Sequence, residues 1–195
     1  MQLRRKILIT IALIALVGGV VGVGTFSAFS STTTNPGNTF AAGTVHLTDN
    51  DSGSAMYNVP TSAPGTSVTR CIVLTYGGTL PANVRLYTTS TLNALANYVD
   101  LTVEKGTSSG GSFPNCGTFT SQATIYSGTL AGFASAHSSY ANGVSAYPGS
   151  QTQWDQNDTL VYRFTVSLQD DNNANGGATP LSTGAHGFTW EAQNQ

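Results

Sequence analysis

Few side chains in this 195-residue sequence belong to the types that perform catalysis or hold metals. The three histidines, His46, His137 and His186, stand alone: no H-E-x-x-H occurs, and catalytic zinc needs about three protein ligands held together. His46 alternates with Val45 and Leu47, which predicts a solvent-facing strand position. His137 falls on a predicted helix face, and His186 precedes a strand. Serines abound, yet G-x-S-x-G is absent and no His–Asp pair is tied to a serine by spacing. Carboxylates cluster in TDND, with Asp49 and Asp51, and in QDDNN, with Asp170 and Asp171. Loop oxygens of this kind suit calcium. They equally suit turns, because Asp and Asn bond their own backbone. No catalytic residue, no metal ligand set and no cofactor is assigned, with calcium at these loops as the one alternative.

Aromatic residues offer a second chemistry. Trp154, Trp190 and eight tyrosines have the faces on which a sugar stacks. Trp190 alternates with Thr189 and Glu191 and is expected in the core. Trp154, among the polar residues of QTQWDQND, is expected at an exposed loop and is the candidate platform of a carbohydrate-binding module.

The N-terminus sets the compartment. Arg4, Arg5 and Lys6 precede an uncharged apolar run from Ile7 to Val23, the pattern of a signal peptide. Thr25 and Ser27 supply small residues before Ala28, so cleavage is expected between Ser27 and Ala28; the alternative is an uncleaved membrane anchor. Removing residues 1–27 leaves Arg70, Arg85, Lys105 and Arg163 against nine carboxylates, a net charge of −5. An acidic surface excludes nucleic acid and anionic membrane as favourable partners, and leaves the signal segment as the one membrane contact. The chain is therefore expected to be secreted, extracellular or on the surface of a bacterium. In such a compartment Cys71 and Cys116 are expected to form one disulfide, two buried free thiols being the alternative.

The elements that must position these residues are strands. In TLVYRFTVSL, Leu160, Tyr162, Phe164, Val166 and Leu168 fall on one face, the period of a half-buried strand. Val99, Leu101 and Val103 alternate in the same way, as do Phe188, Trp190 and Ala192. Further strands are expected at 44–48, 68–76, 83–89 and 118–127, separated by Pro-Gly and Gly-Gly turns. Leu130, Phe133, Ala134, His137 and Tyr140 recur at helical spacing, which predicts one short helix. Many short strands with such punctuation indicate an all-β sandwich, jelly-roll-like, rather than βαβ units.

The segment GTFSAFSSTTTNPGNTFAAGTVHLTDN, residues 24–50, resembles the N-terminal signature of the TasA/camelysin family. Gly24, Thr25, Phe26, Ala28 and Phe29 match its first element; Asn38, Thr39, Phe40, Ala42, Gly43 and Thr44 match its second. The stretch from Tyr162 to Gln195, which contains FTWEAQ, resembles the final two strands of family members. The resemblance implies export with a SipW-type signal peptidase, a jelly-roll sandwich, and membership of a group that includes biofilm matrix fibre subunits and camelysin-type metalloproteases. Fibre subunits of that group polymerise by adding an N-terminal strand to a neighbour. Here the expected organisation is a signal peptide (1–27), an N-terminal extension (28–43) and a sandwich domain (44–195). In the extension, Ala28 and Phe29 open a donor strand and Pro36 and Gly37 act as its hinge; an unstructured N-terminus is the competing reading. The expected function is an exported structural protein of the cell surface or biofilm matrix that associates with itself or a matrix partner. A camelysin-like metalloendopeptidase and a carbohydrate-binding module are the alternatives.

Overall fold

A computed structural model describes residue 4 and residues 41–108, 111–175 and 180–195. Contacts divide the chain into two units, Met1–Ala41 and Ala42–Gln195, and the fold described here is that of the second. The expected cleavage site at Ser27 and Ala28, and Phe29, Pro36 and Gly37 of the extension, lie outside the described residues.

The second unit is built from β1 (Leu47–Asp49), β2 (Ser67–Tyr76), β3 (Ala82–Tyr87), β4 (Val99–Thr107), β5 (Thr120–Thr129), helix α1 (Leu130–Ala136), β6 (Val144–Ser145), β7 (Thr159–Leu168) and β8 (Thr189–Asn194). These strands form two antiparallel sheets, one ordered β1-β2-β7-β4-β5 and the other β6-β3-β8. The all-β expectation, the short helix and the disulfide are all present. Cys71 is bonded to Cys116, 45 residues on.

Period-two patterning becomes burial directly. Ile72, Leu74 and Tyr76 of β2, Leu101 and Val103 of β4, and Leu160, Tyr162 and Phe164 of β7 turn inward and meet Val84 and Leu86 of β3. Each such side chain removed from water contributes about 1.5–3 kcal/mol. Phe164 packs on Phe188 with ring centroids 4.6 Å apart and on Trp190 at 5.9 Å. Helix α1 starts where the Thr129 hydroxyl accepts a bond from the Gly132 N–H at 3.0 Å, and it drives Leu130 and Phe133 into the same core.

Some boundaries depart from the sequence expectation. Residues 44–46 are not ladder residues, because the turn after β2 takes their carbonyls. Thr79 N–H donates to Thr44 O at 2.9 Å and Gly77 N–H to His46 O at 2.8 Å. Gly78 is required in this turn, since a Cβ there would meet the Tyr76 phenol and, at 2.7 Å, the Thr44 carbonyl. The helical spacing that reached Tyr140 breaks at Ala136. The Asn142 side chain accepts from the N–H groups of Ser138 and Ser139, and so starts a separate 3-10 turn at Tyr140–Asn142.

Candidate functional site

Five strands face three, so part of the larger sheet's inner face has no strand over it. That part lies where β2 and β4 begin and β7 ends. There Val68, Val99, Val166 and Leu168 floor a cleft of about 860 Å³. One wall is Phe188 and Trp190 with the approach to β8; the other is the segment Ser54–Ser62.

This second wall is an unusual piece of chain. Among the described residues, Ala55–Ser62 makes no backbone–backbone hydrogen bond. It is a strap held by side chains: Met56 packs on the core, and the Tyr57 hydroxyl lies 2.7 Å from His186 Nε2. Val59 remains 40% exposed. The other ring nitrogen of His186 is 3.0 Å from the carbonyl of Gly184. A carbonyl only accepts, so Nδ1 carries the proton, and in the neutral ring Nε2 accepts the Tyr57 O–H. Burial pushes the Tyr57 phenol well above its ordinary pKa, so it stays a donor at neutral pH. Behind the Trp190 wall, the Tyr162 and Trp190 rings pack edge to face with centroids 5.5 Å apart, and among the described residues neither the buried Tyr162 hydroxyl nor the Trp190 indole N–H makes a well-aligned hydrogen bond. A floor of valine and leucine between walls that also carry Ser54, Asn58, Thr61 and Thr183 suits an extended peptide guest, which offers both apolar side chains and backbone hydrogen-bonding groups.

The residues singled out by chemistry scatter. His46 is exposed. His137 packs against Phe133 and Tyr126 at ring distances of 5.0 and 5.7 Å, with Nδ1 2.7 Å from the Asn142 carbonyl. Asp49 and Asp51 accept bonds from the N–H groups of Asp51 and Gly53, and Asp171 from that of Asn173, each closing an Asx turn. The Trp154 platform is overturned. Trp154 is 0% exposed, bridges Ala82 in an antiparallel contact, and donates from Nε1 to the Ala146 carbonyl at 2.7 Å. Its polar sequence neighbours concealed a core position. Sequence reasoning missed the Tyr57–His186 pair, whose members lie 129 residues apart and carry no local motif.

Among the described residues no three His, Cys, Asp or Glu side chains come together as a metal would require. Every such side chain of the chain is among them, because residues 1–3, 5–40, 109–110 and 176–179 contain none of the four types. Both cysteines are in the disulfide and both nitrogens of His186 have partners. The donor set of a metalloprotease centre therefore does not fit these residues.

A family model described as camelysin metallo-endopeptidase matches residues 2–104. No curated protein matches the chain.

Proposed function

The chain belongs to the camelysin family, and from that premise we propose that it is an exported structural protein of the bacterial surface or extracellular matrix, assembled by strand addition between copies. In this reading a SipW-type signal peptidase cuts between Ser27 and Ala28, and residues 28–43 of one subunit lie in the cleft of the next. Phe29 then sits on the valine and leucine floor, and the threonine-rich backbone pairs with the outer edge of β8.

The observation that carries the proposal is the placement of the cleft within the domain. Its floor is at the Val68 end of β2, while Thr44, where the extension joins the domain, bonds to Thr79 and Leu80 beyond the Tyr76 end. Val68 and Tyr76 are separated by about 27 Å at roughly 3.4 Å per strand residue. A donor leaving one end and an acceptor at the other make a head-to-tail interface, which closes into a ring or extends as a filament. Sixteen extended residues reach about 50 Å, ample to enter a neighbour.

Electron microscopy of the secreted protein at rising concentration tests this. Fibres are expected from the full secreted chain, and soluble folded monomers from a chain lacking residues 28–40. Fibres from the shortened chain would overturn the reading. The family's description supports a second reading as an endopeptidase. Peptide release from casein, abolished by a chelator and retained by pure protein, would favour it.

A further inference from the structure

A sandwich that accepts a strand at one edge must deny its other edges to copies of itself, since an open edge is a template for pairing. Most edges here are short or bent. β1 has three residues and β6 two. β5 carries two irregularities against β4, one between Val103 and Glu104 and one between Lys105 and Gly106, and bulges of this kind twist an edge away from partners.

β2 is the exception. β1 pairs with only Leu74, Thr75 and Tyr76, which leaves Ser67–Val73 without a strand on that side among the described residues. Odd-numbered residues of β2 turn their N–H groups to this edge, and three separate groups occupy it. The Asn50 side chain accepts from Val73 N–H at 2.9 Å. The Pro114 carbonyl accepts from Cys71 N–H at 3.1 Å. The Arg70 guanidinium donates to the Thr69 carbonyl at 2.9 Å. Pro114 has no N–H of its own, so the ladder cannot continue through it. The loop that presents Pro114 is fastened on both sides of the strand: Cys116 is bonded to Cys71, and the Phe119 ring lies 4.4 Å from the Arg163 guanidinium, which is itself paired with Glu104.

We propose that the loop Ser112–Phe119, held by the Cys71–Cys116 disulfide, is an edge guard: it prevents β2 from pairing antiparallel with β2 of a second copy. Its corollary, that strand addition is thereby directed to β8, rests on the reading given above; the guard itself does not.

The test uses the full secreted chain with Phe29→Ala, which weakens the proposed donor, followed by sedimentation velocity over a range of concentrations. Adding Cys71→Ser and Cys116→Ser is expected to produce dimers at concentrations at least about tenfold below those at which the parent associates. Adding Thr69→Pro to that variant is expected to restore the monomer, because proline removes the next outward N–H without touching the ladder to β7. Aggregation through general loss of stability would not be relieved by that proline. A parallel variant, Asn50→Ala, leaves the disulfide in place, and its dimers should appear at intermediate concentration. The proposal is overturned if the cysteine-free chain stays as monomeric as its parent, or if it associates equally with proline at 69. Fibre formation by the chain with Phe29 intact is read separately, and its absence counts against the strand-addition reading alone.

Discussion

The Tyr57 hydroxyl is 2.7 Å from His186 Nε2, and this bond joins the two walls of the cleft across 129 residues of chain. Among the described residues Ala55–Ser62 makes no backbone–backbone hydrogen bond, and the Tyr57–His186 ring contact at 5.6 Å and the packing of Met56 add to the strap's restraint. Tyr57→Phe should therefore cost about 0.5–1.5 kcal/mol of stability. It should also speed proteolytic cutting within 55–62, the segment with the least backbone protection. Cleavage at the parental rate would show that the strap is held by something other than this bond.

Trp154→Ala should destabilise the domain rather than remove a sugar site. The indole is fully buried and its N–H is satisfied by Ala146, so truncation leaves a large cavity and an orphaned carbonyl. A loss of about 3–5 kcal/mol is expected in denaturant unfolding.

What the sequence made legible was periodic. β4 and β7 alternate cleanly, and their inward residues are those the alternation names, because a sheet with one covered face imposes period two. Val161 breaks the rule, being 5% exposed on the outward parity. It lies opposite Gly106, the glycine against which Phe119 packs, so the disulfide loop covers it. Trp154 and the strap were illegible for one reason: their environments are set by Ala82 and His186, far along the chain, and no local spacing encodes such contacts.

Gly106→Ala tests that covering. A Cβ at this position would run into the Thr120 carbonyl and, at 2.6 Å, the Phe119 ring. The β4–β5 pairing or the loop must shift, and a loss of about 1–3 kcal/mol is expected from calorimetry or denaturant melts. An unchanged melting temperature would mean that the loop yields without cost.

High pH should unfold the domain through its phenols. Burial raises the pKa values of Tyr57, Tyr76 and Tyr162, since a phenolate loses its hydration there. Tyr87 is raised first by its hydrogen bond to Glu191 and then by burial. A pKa higher in the folded than in the unfolded chain gives stability that is complete below about pH 10, where unfolded tyrosine titrates, and is lost as pH rises beyond it. Phenolate absorbance and circular dichroism should change together above that pH. Tyr162→Phe, which removes a buried hydroxyl that makes no well-aligned hydrogen bond among the described residues, should move the transition to higher pH at little cost near neutrality.

Thr44 rests on Thr79 and Leu80, and Asn194 at the end of β8 lies opposite Ala82, so the domain's first and last described strands come away from the same small turn. Topologically the sandwich is close to a circle. A short linker from Gln195 to Thr44 would close it, and new termini in the strap near Asn58 would reopen it without cutting a single ladder bond. Such a rearranged chain would keep the core and its disulfide, and would carry any appended segment at the mouth of the cleft instead of at the far pole. Where an extension is attached thus governs which way it can reach, independently of how the domain folds.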